Sequence, residues 1–202
     1  MRLRHLVLLC GFAAVWPVLH ATTVRPPQFA DLVNGSDYVV RARVKSLAAH
    51  TEQRGTRTVV VTQMELDVTE VIAGTPPQPL VLTMLGGEAD GIGMRITGAP
   101  KFAVGDEDVL FVQGNGRNFS PFYAFMHGRY PVLKDGAGRE YVARSNRVPL
   151  SDVAEIATPL VDGPVAALQA RAKSAAPAMT PAEFIQRIRT ERSNGAAKNV
   201  AH

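Results

Sequence analysis

One cysteine, Cys10, occurs in 202 residues. A thiol-poor chain excludes a disulfide framework, a Cys-ligated zinc and a thiol nucleophile. Histidine is nearly as scarce: beyond residue 21 only His50, His127 and His202 remain. No two share the close spacing of zinc motifs, so metal ligation finds no frame. No apolar run reaches the ~20 residues of a membrane-spanning helix. No Lys/Arg cluster forms the contiguous patch that phosphate backbones select, which argues against nucleic acid as a partner. Gly-x-Ser-x-Gly is missing. Gly86–Gly93 lacks the Lys-Ser/Thr ending of a phosphate loop.

What is present begins with a leader pattern. Arg2 and Arg4 precede an apolar run from Leu6 to Leu19, and Leu19-His20-Ala21 offers a small residue at a cleavage point. That is the layout of a Sec-type signal peptide over residues 1–21. Leu9 before Cys10 does not fit a lipobox. The mature chain is then expected to begin near Thr22 in the periplasm or outside the cell, without a thiol or a transmembrane anchor. The formal charge of +4 comes from 22 basic and 18 acidic residues. Losing Arg2 and Arg4 leaves 20 against 18, or +2, so the pI of 9.5 overstates the basicity of the working protein. A hydrophobic content of 46% and a charged content of 20% suit an ordinary globular domain.

The patterning is that of strands. Phe29, Ala30, Leu32 and Val33 are spaced for a short helix stopped by Asn34-Gly35-Ser36. From Asp37 to Leu47, Val40, Ala42 and Val44 alternate with Arg41, Arg43 and Lys45. A polar loop is expected from His50 to Arg57. Thr58 to Ile72 alternates again, with a phase flip at Glu70 that predicts a bulge. Antiparallel pairing would set the basic row of the first strand against Glu65 and Asp67. Leu80–Leu85 is apolar on both faces and is expected to be covered on both. Gly86–Gly93 reads as a flexible acidic loop, Met94 and Ile96 as a short strand, and Val109–Val112 as a central strand. Phe119–Met126 reads as an aromatic strand. Asp135-Gly136-Ala137-Gly138 marks a hairpin between Tyr130–Leu133 and Glu140–Ala143. Many short strands without a βαβ rhythm predict one antiparallel barrel or sandwich over residues 22–148.

Past Pro149 the composition changes. Residues 149–179 read as an alanine-rich linker or weak helix. Thr180-Pro181-Ala182-Glu183 is a capping box opening a helix over 180–193, with Phe184, Ile185 and Ile188 as one apolar stripe. Residues 194–202 are expected to be a disordered tail.

Each candidate chemistry has a structural competitor. Glu88 and Asp90, or Asp106, Glu107 and Asp108, could ligate Ca²⁺, which needs six to eight oxygens; solvated turns explain them with less. Ser36 or Ser120 could meet His127 in space, yet a lone histidine beside Gly128 is usually structural. Glu65 and Asp67 project from one face, as paired carboxylates must, and Arg41 and Arg43 opposite explain them. The aromatic group Phe119, Phe122, Tyr123, Phe125 and Tyr130 suits a core, or a sugar or protein surface. Asn34-Gly35-Ser36 and Asn118-Phe119-Ser120 fit the N-glycosylation sequon, unused in a bacterial host. No catalytic, cofactor or metal residue is assigned. The loop residues Glu88 and Asp90, with His127, are the binding candidates.

Several segments carry a resemblance. Ser36-Asp37-Tyr38-Val39-Val40-Arg41-Ala42-Arg43-Val44 is followed by Leu66-Asp67-Val68-Thr69-Glu70-Val71-Ile72-Ala73-Gly74. Leu85-Gly86-Gly87, Gly98-Ala99-Pro100-x-Phe102 and Gly105-Asp106-Glu107-x-Val109-Leu110-Phe111 continue the pattern. Over roughly residues 30–145 this resembles secreted bacterial β-barrel proteins and, more distantly, the OB-like barrel of netrin modules and tissue inhibitors of metalloproteinases. The resemblance implies an all-β fold with short helices: a single closed OB-like barrel with a peripheral C-terminal helix. Those inhibitors reach a protease zinc through an N-terminal cysteine and are stapled by disulfides. This chain has neither, so no functional residue is carried over. The expectation is an exported, non-enzymatic module without a cofactor that binds another exported or envelope protein, as an inhibitor or accessory protein of an exported protease. An envelope carbohydrate-binding protein or hydrolase, with a cleft lined by Tyr123, Tyr130 and acidic residues, is the alternative.

Overall fold

Two long alternating segments dominate the architecture. In a computed structural model, which describes residues 25–161, 163–173 and 178–200, they form β1 (Tyr38–Arg54) and β2 (Arg57–Ala73), paired antiparallel along their whole length. The expected leader over residues 1–21 lies outside the described residues. The other elements are α1 (Phe29–Asn34), β3 (Leu80–Leu85), β4 (Gly87–Ala89), β5 (Ile92–Met94), β6 (Glu107–Val112), β7 (Arg129–Lys134), β8 (Glu140–Val142), α2 (Gly163–Lys173) and α3 (Pro181–Val200). The main sheet runs β3-β2-β1-β6-β7-β8, with β4 and β5 as a separate pair.

The period of two sends side chains to two cores. Tyr38, Val40, Ala42 and Val44 join Met64, Leu66, Leu80, Leu82, Leu110, Val112 and Phe122 on one face. Val39, Ile72, Val109, Phe111 and Tyr130 point the other way, into a core closed by Leu32 and Val33 of α1 and by Phe184, Ile185 and Ile188 of α3. Phe184 packs at 5.0 Å from Tyr130 and 6.1 Å from Phe111, centroid to centroid. Each fully buried side chain of this size contributes about 1.5–3 kcal/mol, which holds a helix that water alone would not. Thr180 and Glu183 form the capping box: the Thr180 hydroxyl accepts from the Glu183 amide, and the Glu183 carboxylate accepts from the Thr180 amide.

The predicted bulge is real and sits at Thr69. Arg41 pairs with Glu70 and Ala42 with Val68, leaving Thr69 unmatched, its hydroxyl donating to the Arg41 carbonyl. The slip carries Val68 to the face of Val40 and Leu110, and Ile72 to the helical one.

Several expectations are corrected. His50–Arg57 is an arm, not a loop: the hairpin turns only at Gly55-Thr56, and polar side chains had hidden the pairing. Arg41 and Arg43 turn from β2 towards Glu107 of the neighbouring β6, and Arg41 also reaches Glu140; only Lys45 keeps Glu65. Leu80–Leu85 pairs only with β2, and Val81 and Thr83 are half-buried rather than covered. Phe119–Met126 is not a strand, because Ala124 (φ 46°) and Phe125 (φ 60°) adopt left-handed backbone before a short 3-10 turn at Phe125–Gly128. The helix expected to stop near residue 193 continues to Val200. Arg192 donates to the carbonyls of Val33, Asn34 and Ser36, and Gly195 lies so close to Asn34 that a Cβ would clash.

The chain is β-rich with a C-terminal helix, but the sheet is not closed into a barrel. Both edges of β6 are taken, one by β1 and the other by β7, so β6 has none left for β3. The segment after β6 crosses to β3 instead. There the Asn115 side chain accepts from the Thr83 amide at 2.9 Å and donates to the Val81 carbonyl at 2.8 Å, and the Phe119 carbonyl accepts from the Leu85 amide. One amide side chain replaces a ladder. No described helix is long and apolar enough to cross a membrane.

Candidate functional site

Gly86 and Gly87 set the geometry of the open end. Both have positive φ (107° and 132°), and the Gly86 amide donates to the Val60 carbonyl. A Cβ on Gly87 would lie 2.5 Å from the Thr62 hydroxyl, so only glycine passes this close to β2. The chain then folds back over the inner face of the arm as β4 and β5. Their turn is Asp90-Gly91, both with positive φ (51° and 74°), a two-residue hairpin signal. The expected flexible loop is therefore a small hairpin, fastened where the Thr51 hydroxyl donates to the Asp90 carboxylate at 2.7 Å.

Between this hairpin and residues 96–102 lies a groove of about 660 Å³. Its walls carry Leu47, Met84, Leu85, Met94, Ile96 and Phe102. Glu88, Arg95 and Lys101 stand at its rim, and their side chains take no ion-pair partner among the described residues. The core around Leu82 and Leu110 is the floor of this groove, since Leu47, Met84 and Phe102 also pack against it. Sequence reasoning found Glu88 but not the apolar lining. The Asp90-Gly91 turn was the signal that could have revealed it.

The three predicted binding residues do not meet. Glu88 is at the groove, Asp90 braces the hairpin, and His127 is only 4% exposed, in the 3-10 turn before β7. Burial and the nearby Arg144 guanidinium push the His127 imidazole down to about 4, so it is neutral at ordinary pH. The Ser36 hydroxyl donates to the Leu32 carbonyl and the Ser120 hydroxyl accepts from the Phe122 amide, so both serve backbone. Tyr130 is buried against Phe111 and Phe184, which removes the aromatic cleft that a sugar site needed.

The carboxylate run after Gly105 is absorbed by arginines. Arg129 donates to Asp108 at 2.7 Å and to Asp106 at 2.9 Å, holds the Lys101 carbonyl, and lies 4.0 Å over the Phe102 ring. Burial pushes the Asp108 carboxyl upward and Arg129 opposes it. This hub ties Lys101 and Phe102, on one side of the groove, to the sheet. No group of three or more potential metal ligands occurs among the described residues.

A larger cleft of about 930 Å³ separates the β7–β8 hairpin from the start of α3. Its carboxylates are committed to the fold: Asp135 to its own turn and Arg139, Glu140 to Arg41, Asp152 to the Ala154 amide, and Glu183 to the helix cap. The apolar groove is the better-prepared surface. No protein-family model matches the chain, and no curated protein matches it either.

Proposed function

We propose that the protein is an exported, non-enzymatic binding module that holds a segment of another exported or envelope protein in the groove beneath β4 and β5. The observation that carries this reading is an apolar groove on a rigid sheet, rimmed by uncompensated charges. Apolar walls supply the binding free energy, and Arg95, Lys101 and Glu88 supply orientation. The reading of the module as non-enzymatic is supported by the burial of His127 and by Ser36 and Ser120 bonding backbone. Export rests on the leader-like residues 1–21. The resemblance to netrin and metalloproteinase-inhibitor modules supports an inhibitor or accessory role towards an exported protease. In that reading the Asn115 seam stands for the closing strand pair of an OB-like barrel.

The test is site-specific photocrosslinking in the producing cell. A photoreactive residue at Met94 is expected to give one discrete adduct, which a second change, Leu47→Asp, removes while the far-ultraviolet spectrum stays unchanged. An adduct formed equally well from position 198 on α3 would refute the groove as the binding surface.

A further inference from the structure

The arm formed by β1 and β2 leaves one lane of the sheet empty. Along residues 38–43, β1 has β2 on one edge and β6 on the other. The last contacts in the β6 lane are the Val44 amide donating to the Asp106 carbonyl and the Gly105 amide donating to the Val44 carbonyl. There the chain turns away at Gly105. From Ser46 to Arg54, β1 pairs with β2 alone, and no described backbone group bonds its other edge. Nine residues of strand span about 30 Å. Open edges are normally blunted by lysine, proline or a covering segment. Residues 46–54 contain no lysine or proline, their two charged residues, Glu52 and Arg54, pair with each other near the hairpin tip, and the one neighbouring lysine, Lys45, sits in the register shift and is engaged by Glu65.

The lane also borders the groove. Leu47 and Ala49 pair with Met64 and Thr62 on the face that β4 overlies, and Leu47 lines the groove wall. A strand in this lane would turn every second side chain towards that face. Arg95 and Lys101, both exposed and without a carboxylate partner, stand at the same rim.

We infer that the groove's occupant is an extended peptide segment of another protein that adds as a strand along residues 46–54 of β1. Its alternate apolar side chains enter the groove, and a carboxylate among them meets Arg95 and Lys101. The inference rests on the groove being the binding surface and adds how the ligand's backbone is held.

The full chain is panned against a displayed library of random twelve-residue peptides, and the enriched peptide is synthesised. Enriched sequences are expected to alternate apolar and polar residues and to carry Asp or Glu. Bound peptide should slow exchange at every second amide of residues 46–54. N-methylation of one alternate set of its amides should weaken binding about tenfold or more, and methylation of the other set should not. Binding lost in Met94→Asp but without protection of residues 46–54 would overturn strand addition and leave the groove reading standing. No enriched peptide would overturn both. Protection of residues 46–54 in the absence of peptide, rising with protein concentration, would assign the lane to a second copy and overturn the inference.

Discussion

Replacing Asn115 with alanine removes two hydrogen bonds that substitute for a strand pair. The Thr83 amide and the Val81 carbonyl, both partly buried, lose their partners together. A net hydrogen bond is worth about 1 kcal/mol, and leaving a buried group unsatisfied costs about 1–3 kcal/mol. Partial exposure keeps each near the lower end, so we expect a loss of about 2–3 kcal/mol. For a domain of this size, 1 kcal/mol moves Tm by roughly 2–4 °C, which predicts a fall of about 5–10 °C. Urea unfolding followed by circular dichroism gives the free energy, and amide exchange gives its location. Exchange at Thr83 should accelerate far more than at Val109 in the sheet centre. Asn115→Asp should be worse than alanine, because a carboxylate would face the Val81 carbonyl. A loss below about 0.5 kcal/mol with Thr83 exchange unchanged would refute the claim that this side chain closes the gap.

Three further outcomes follow from the same contacts. Arg129→Met strands the Asp108 carboxylate and should cost about 3–5 kcal/mol in urea, whereas Arg129→Met with Asp108→Leu should recover most of it. His127 is held down to about 4 against an ordinary 6.5, so the unfolded chain takes up its proton first; stability should fall as pH drops from 6.5 to 4, by about 3 kcal/mol at most, and His127→Gln should flatten that slope in pH-dependent urea melts. Phe184→Ala empties the contact among Tyr130, Phe111 and Phe29 and should cost about 3–5 kcal/mol, with exchange rising along α3 before the sheet opens.

How much the sequence disclosed depended on how far local rules governed each segment. Alternation located β1 and β2, which bury side chains in a period of two, and a continuous apolar run located β6, which is buried on both faces. The phase flip at Glu70 announced a bulge that the register places one residue earlier. The capping box and the stripe of Phe184, Ile185 and Ile188 marked α3. Its extension to Val200 was hidden, because it depends on Arg192 and Gly195 meeting α1, a contact invisible locally. The tip of the arm, His50 to Arg57, reads as loop in the sequence, since its polar side chains carry no burial signal. Closure failed for a topological reason: the alternation cannot say that β7 will take the edge of β6. At the site, Glu88 was legible as a charge in a glycine-rich segment. Leu47, Met84 and Met94 were not, because they are brought together by a hairpin whose turn, Asp90-Gly91, passed as part of a loop. His127 was legible as an isolated histidine, but its burial follows from the left-handed turn at Ala124 and Phe125.

The methionines offer a direct test of the binding surface. Met84 and Met94 line the groove, Met64 lies in the core that floors it, Met179 packs in the core beneath α3, and Met126 borders a hollow beside Arg129 that shares Ala99, Pro100 and Lys101 with the groove wall. With methyl-labelled methionine, adding the crosslinked partner should shift the resonances of Met84 and Met94 and leave that of Met179 in place. A shift at Met179, with Met84 and Met94 unmoved by a saturating partner, would contradict the account.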